Sequence, residues 1–395
     1  MNEPLHQNLD VRRGPASSIT PRGQDLASIA LVAVALRVVL IVASLTWSGM
    51  SFRGFMSQRD GASFMAYAHM LLGHDVQLAE YDYRVFPGYP ALLAAGSLTG
   101  ASMPVVALVI NLLSVGLAAV FAAALFQNRW IGWAMAILTP SYLLFSSHAM
   151  GEPANLALIL AGLLLAVRSP HLTAVAIGGV LLGYAGLIRP VACFAVAGFM
   201  VWAILQRRWR PALIHGAVAA AFVAAGLALL QWRTGHALHS LEVYKTHEQA
   251  YAGQLFTWPF RSIIHSTLVA FDRDVMPNIP PKNLVYIWLH IVIVVAGCVV
   301  PFLIRPRSAD GGKHPLFWVA MPWLWGNTLF VLCIGHYWGM LEFARFIIPA
   351  LPPLFLAYER LLPRGKAWWL WLPLAALSWI VAFEGITNFA THPWK

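Results

Sequence analysis

The stretch LASIALVAVALRVVLIVASLTW at 26–47 decides the class of fold. A bilayer core about 30 Å thick is crossed by a helix of about 20 apolar residues, because each residue rises 1.5 Å. This run is long enough, and it outlasts the apolar core of a signal peptide, so it reads as an uncleaved first membrane helix. Arg37 inside it is costly in hydrocarbon and is expected to face other helices or a polar cavity.

The rest of the 395-residue chain repeats that pattern, with 59% hydrophobic and only 11% charged residues. An ordinary globular protein carries roughly 25% charged residues, so too little charge is present to cover aqueous surfaces. The net charge of +10 invites a nucleic-acid reading, but the Lys and Arg residues are scattered between apolar stretches, and no nucleic-acid partner is expected. Cys193, Cys298 and Cys333 lie far apart inside apolar runs and offer neither a disulfide framework nor a metal spacing.

About eleven stretches qualify as spans, at roughly 26–47, 103–126, 130–147, 152–167, 171–188, 190–205, 212–231, 284–304, 315–335, 344–360 and 367–389. The fold class is therefore all-α, a polytopic membrane bundle of about 11 helices, since lipid-exposed backbone must satisfy its own hydrogen bonds. Residues 1–25 read as a disordered cytoplasmic N-terminus and 26–395 as a single transmembrane domain with two long extracytoplasmic loops, 48–103 and 232–283.

Orientation follows from the loops. Arg12, Arg13, Arg22, Arg129, Arg168, Arg207, Arg208, Arg210, Arg305, Arg307, Lys313, Arg360, Arg364 and Lys366 all fall on one side, which is cytoplasmic by the positive-inside rule and places the N-terminus inside. Most of the 16 carboxylates and both long loops fall on the other side. The short cytoplasmic connections leave no room for a nucleotide domain, and neither a GxGxxG turn nor a Walker motif occurs.

Loop 48–103 holds SQRDGASFMAYAHMLLGHDVQLAEYDYRVFPGYPALLA at 57–94. From Asp60 to Leu72, Phe64, Met65, Ala68, Leu71 and Leu72 recur at helical spacing, which predicts an amphipathic helix in the membrane interface. Asp60 heads that helix, either as a plain cap or as a functional carboxylate. Asp75, Glu80, Asp82 and Arg84 follow, before the Pro- and Gly-punctuated turn RVFPGYP. The second loop carries His236, His239, Tyr244, Lys245, His247, Glu248, Arg261, His265, Asp272, Arg273 and Asp274, a dense set of polar donors but with no paired metal-ligand spacing. Shorter loops on that side add His148, Glu152, Arg189, His336, Tyr337, Glu342 and Arg345. Ionisable residues at span ends are expected to line one shared cavity.

Such a site suits a lipid with an anionic head, and polyprenyl phosphates carrying one sugar fit. Transfer of the sugar needs a base for the acceptor hydroxyl and cations for the departing phosphate. Asp60 is the candidate base, and Arg345, Arg189 and Arg84 are the candidate donor-phosphate ligands. Candidate substrate contacts are Arg59, Asp82, Glu80, His148, Glu152, Lys245, His247, His336, Tyr337 and Glu342. No metal ligand and no cofactor is assigned.

The Asp-headed helix, RVFPGYPALLA at 84–94, SSHAMGEPANLAL at 146–158, GLIRPVACF at 186–194 and EFARFIIPALPPLFLA at 342–357 resemble, in that order, multi-pass GT-C glycosyltransferases. The chain is most similar to bacterial relatives of the second mannosyltransferase of GPI-anchor assembly, the PIG-V-like group. The resemblance implies a GT-C fold and an inverting transfer, often of mannose, from a polyprenyl-phosphate-linked donor to a hydroxyl of a lipid, glycan or protein. It also implies Asp60 as base, Arg345 near the donor phosphate and Glu152 at the entry of the fourth helix. Arg59 stands where eukaryotic members have Trp. A monomer in a bacterial inner membrane is expected.

Two other classes compete. A flippase for a lipid-linked sugar would bind the same head group without chemistry, but the halves show no convincing internal repeat. An O-antigen ligase or polymerase would share the outward site and its arginines.

Overall fold

A computed structural model of the chain describes residues 21–76, 78, 80–235, 238, 240, 242–243, 256–271, 281–304, 306, 314–334 and 342–391. These fold almost entirely as helices: α1 Gly23–Ser48, α2 Phe52–Met56, α3 Gly61–Leu71, α4 Gly88–Ser97, α5 Met103–Leu125, α6 Arg129–Ile137, α7 Pro140–Ser146, α8 Glu152–Arg168 and α9 Leu172–Ile188. There follow α10 Cys193–Leu205, α11 Trp209–Thr234, α12 Arg261–Phe271, α13 Pro281–Leu303, α14 Phe317–Cys333, α15 Phe343–Phe346, α16 Leu351–Ala357 and α17 Trp371–Thr391.

The apolar stretches read from the sequence fall largely on helix, and among the described residues five helices are long and apolar enough to cross a membrane: Gly23–Ser48, Met103–Leu125, Trp209–Trp232, Leu284–Leu303 and Ala367–Thr387. Shorter apolar helices complete the bundle, among them Leu172–Ile188 and Phe317–Cys333. Leu31, Val42, Leu113, Val285 and Leu372 are all exposed, a surface that only lipid would solvate. The chain is an integral membrane protein.

Two stretches expected as single helices are broken. Residues 130–147 divide into α6 and α7 between Thr139 and Pro140, because proline donates no hydrogen bond and pushes the preceding residue out of helix; Thr139 sits at φ −130°, ψ 83°. Residues 344–360 divide into α15, a 3-10 turn at Ile348–Ala350 and α16, in a segment that carries Pro349, Pro352 and Pro353. Loop 48–103 is correspondingly richer in structure than its sequence pattern indicated: α2 and α4 flank α3, and a 3-10 turn covers Glu80–Arg84. The apolar alternation in such short pieces is too brief to separate helix from loop.

Small residues let the helices approach. A Cβ on Gly162 would lie 2.7 Å from the Gly178 carbonyl oxygen, and Cβ atoms on Gly179 and Gly183 would each lie 2.8 Å from carbonyl oxygens of α11. This small-residue contact holds α8, α9 and α11 together where no hydrophobic driving force acts between helices.

Arg37 is fully buried. It donates to Ser146 Oγ at 3.2 Å, to the Ala33 carbonyl at 3.0 Å and to the Ala136 carbonyl at 2.8 Å, and it faces the Tyr142 ring. As expected for a guanidinium at membrane depth, it points into the bundle and turns its charge on backbone carbonyls.

The two ends of the bundle differ. At one, Arg129 pairs with Asp25 at 3.4 Å, Arg168 donates to the Ala124 carbonyl at 2.8 Å and Arg364 approaches Glu359 at 3.5 Å. Cations there meet the electronegative ends of helices. The other end gathers the α1–α5 connection, the start of α8, the end of α9 and α15.

Candidate active site

At that second end the turn at 57–60 joins α2 to α3. Arg59 adopts φ +57°, a left-handed conformation that costs a side-chain-bearing residue about 1 kcal/mol. Next to it, a Cβ on Gly61 would lie 2.2 Å from the Met56 carbonyl oxygen, so only glycine lets the chain pass this close. The pair aims Asp60 away from its own helix. Its backbone is at φ −79°, ψ −4°, and its carboxylate makes no cap bond to α3. The plain-cap reading of Asp60 is thereby overturned: the carboxylate is used elsewhere.

Asp60 Oδ1 accepts from Arg84 Nη2, and Asp60 Oδ2 accepts from Arg345 Nη2 at 2.5 Å. Arg345 also donates through Nε to Glu152 Oε1 and through Nη1 to Glu342 Oε2 at 3.3 Å. Arg189 Nη2 donates to the same Glu152 oxygen. Arg59 Nη1 stands 3.5 Å from Glu342 Oε1, and the rings of Phe145 and Phe346 lie under Arg59, Arg345 and Arg189. Behind Arg84, Ser63 Oγ accepts from Nη1 at 3.1 Å and donates to Asp82 Oδ1 at 2.6 Å.

Each charge is delivered by a different element. Glu152 opens α8, ahead of Pro153 at a position where the missing N–H costs nothing. Arg189 caps the end of α9 in extended backbone, φ −148°, as the following Pro190 requires. Cβ atoms on Gly88 and Gly151 would lie 2.7 and 2.9 Å from Ile188, so glycine at both positions lets α4 and the α8 entry close on the end of α9. Asn327 Nδ2, on α14, donates to the Phe346 carbonyl at 3.2 Å and steadies α15.

Burial by itself pushes the Asp60 carboxyl up, but Arg345 and Arg84, helped by Arg189, outweigh it and hold the group well below the usual carboxylate range. Burial lowers the Arg59 guanidinium to about 10, against the pull of Glu342, which leaves it charged at neutral pH. Four guanidiniums thus face three carboxylates among the described residues, a surplus of one positive charge before Asp82 is counted.

The fold therefore brings together Arg59, Asp60, Asp82, Arg84, Glu152, Arg189, Glu342 and Arg345 from both halves of the chain. His148 stands apart. It is fully buried, its ring stacked on Phe55 at 4.6 Å, with Nε2 2.8 Å from Gln58 Oε1 and Nδ1 3.1 Å from the Leu144 carbonyl oxygen. Burial and the Arg59 charge lower it to about 3. A neutral, enclosed imidazole braces the turn that bears Asp60 and offers no face to a ligand, which corrects the expectation of a substrate contact. Glu80 lies in the 3-10 turn beside Asp82. Lys245, His247, His336 and Tyr337 lie outside the described residues, as do His236, His239, Tyr244, Glu248, Asp272, Arg273 and Asp274. No group of three His, Cys, Asp or Glu side chains suited to a metal occurs among the described residues.

Ser63 and Asn111 were missed in the sequence. Ser63 follows Asp60 at i+3, on the same face of α3. Asn111, buried in α5, accepts from the Tyr89 hydroxyl at 3.0 Å and donates to the His148 carbonyl. A lone Asn in an apolar span was the available signal.

The chain matches ArnT from Cupriavidus metallidurans, solved bound to undecaprenyl phosphate, with a TM-score of 0.51 at 16% identity, over 88% of this chain and 62% of that one. The chain has a GT-C fold. It spans about six tenths of that structure's length. The Archaeoglobus fulgidus oligosaccharyltransferase, solved with zinc and sulfate, aligns with a TM-score of 0.48 at 14% identity, over 92% of this chain and 53% of that one. No family model and no curated protein matches the sequence. Within this GT-C fold, the charged cluster sits where α3, the start of α8, the end of α9 and α15 converge.

Proposed function

We propose that this chain is an inverting glycosyltransferase that moves a sugar from a polyprenyl-phosphate donor to a hydroxyl acceptor, with Asp60 as general base. The observation that carries the reading is the carboxylate of Asp60 suspended between Arg84 and Arg345 at one end of a GT-C fold. ArnT was solved with undecaprenyl phosphate, which supports a donor of the same lipid class. An apolar groove of about 440 Å³, lined by Leu92 of α4, Leu113 and Leu117 of α5, Ala157 and Leu158 of α8 and Tyr184 of α9, supports the binding of a lipid chain.

In the reaction the acceptor oxygen attacks the anomeric carbon from the face opposite the phosphate. Its proton passes to Asp60, and the carbon–oxygen bond to phosphate breaks with its electron pair kept by the phosphate. Positioned base catalysis contributes about 10²–10⁴-fold, and guanidiniums that meet the developing phosphate charge add to it. Arg345, Arg189 and Arg84 hold the phosphate; Glu152 and Glu342 keep Arg345 in place; Arg59 and Asp82 line the approach.

The sugar is mannose and the acceptor a lipid, glycan or protein hydroxyl, in keeping with the PIG-V-like motif order. The site faces away from the cytoplasm in a bacterial inner membrane and the protein acts as a monomer. The arginines clustered at the opposite end of the bundle, Arg22, Arg129, Arg168, Arg207, Arg208, Arg210, Arg360 and Arg364, support that orientation.

The test is to supply the protein in lipid vesicles with polyprenyl-phosphate mannose and candidate acceptors and to assay free polyprenyl phosphate. Release coupled to glycosylated product is expected. Donor moved across the membrane with no phosphate released would replace the transferase with a flippase.

A further inference from the structure

We propose that Arg84 and Arg345 serve the base and the leaving phosphate in turn, so that donor binding itself unlocks Asp60. The inference rests on the glycosyltransferase reading above. In the resting site both oxygens of Asp60 are engaged, Oδ1 by Arg84 and Oδ2 by Arg345, so an acceptor hydroxyl must share an oxygen already paired with a cation. The same two guanidiniums are those best placed to hold a phosphate near that carboxylate. A donor phosphodiester must compete with Asp60 for them, and its success frees the base at the moment substrate is present.

The charge changes of the reaction fit this sharing. As the proton reaches Asp60 the carboxylate loses its negative charge, and as the glycosidic bond breaks the phosphate gains one. Two guanidiniums within reach of both groups follow the charge across a short distance, and no new counter-ion is needed. Arg345 is built to remain while it switches, because Glu152 and Glu342 hold its Nε and Nη1 and only Nη2 reaches Asp60. Arg84 is held similarly by Ser63, which accepts from Nη1 while donating to Asp82. Ser63 and Asp82 are thus positioning residues for Arg84, a role the sequence pattern did not suggest for Ser63. The other charges facing Asp60 are Arg189 and Arg59, with Glu152 and Glu342 behind them, and all of these stay in place in this scheme. The depressed basicity of Asp60 in the resting site agrees with a base kept idle until its partners leave.

Binding of farnesyl phosphate to the full-length protein in nanodiscs, followed by intrinsic tryptophan fluorescence, tests the sharing. Asp60→Asn is expected to bind about 5-fold or more tightly than the parent, the low end of a coupling between sites. In an Arg84→Gln background that gain should shrink, because one of the contested donors is gone. Ser63→Ala should bring into view an acid limb of kcat/KM against pH that the parent lacks, and Ser63→Thr should remove it again, a signature that lost packing alone would not give. An Asp60→Asn protein that is folded and inactive in transfer but binds farnesyl phosphate no better than the parent overturns the shared arginines and leaves the transferase standing. Retained transfer by Asp60→Asn overturns the reading on which the proposal rests.

Discussion

Arg345 Nη2 stands 2.5 Å from Asp60 Oδ2, although 285 residues separate them in the chain. One guanidinium thereby ties the first loop to the last third of the protein, and through Nε and Nη1 it also ties in Glu152 and Glu342. The two halves of the candidate site are thus joined by charge as well as by the packing of Phe343, Ile347 and Ile348 in the core.

Removal of Arg345 should be far more damaging than removal of Arg189. Arg345→Ala leaves Asp60, Glu152 and Glu342 without their shared partner, and breaking a buried pair costs about 3–5 kcal/mol. Arg189→Ala leaves Glu152 still paired with Arg345, and a smaller loss is expected. Thermal unfolding in detergent, read beside donor KM, separates the two: Arg345→Ala should lower both stability and donor use, and Arg189→Ala chiefly donor use.

The pH dependence follows from the depressed Asp60. Its carboxylate is ionised in the free protein at all ordinary pH values, so kcat/KM should show no acid limb from this group above about pH 4. Arg84→Gln removes one of the three charges that hold it down, lifts it toward the ordinary value and should bring an acid limb into view. The sign for stability is the same: the contribution is present above the unfolded carboxyl value of about 3.9 and is lost as pH falls through the folded one. His148, lowered to about 3, adds no limb near neutrality, and an inflection near 6 that vanishes in His148→Gln would contradict its enclosed position.

Gly61→Ala tests the turn that aims Asp60. The added Cβ would stand 2.2 Å from the Met56 carbonyl oxygen, so the backbone must shift. Overpacking of this kind costs about 1–3 kcal/mol, and a carboxylate displaced by a fraction of an ångström loses its alignment. Transfer rate should fall by more than the melting temperature alone would explain. A Gly61→Ala protein with the parental rate would show that the close approach at this turn does not set the aim of Asp60.

Much of this architecture was legible because membrane helices announce themselves by length and composition, as the run at 26–47 does, and because ionisable residues in so apolar a chain are few. Asp60, Glu152, Arg189 and Arg345 stood out for that reason and the fold does bring them together. Partnerships were not legible. Nothing in the spacing said that Arg345 would bind three carboxylates, or that Ser63 would sit between Arg84 and Asp82, since those contacts form across distances that local periodicity does not encode. His148 misled for a related reason: its position at a helix end is the same whether its ring opens to a cavity or stacks on Phe55, and only packing decides. The helix breaks at Thr139 and before Leu351 were signalled by proline and masked by the continuous hydrophobicity on either side.

The most direct test of the central claim is the transfer rate of Asp60→Asn in vesicles, with polyprenyl-phosphate mannose as donor and released polyprenyl phosphate as readout. Asn keeps the shape and removes the base, so the protein should fold as the parent does, still bind farnesyl phosphate, and lose about 10²–10⁴-fold in kcat. A folded Asp60→Asn protein that transfers sugar at the parental rate would contradict the assignment of Asp60 as the base.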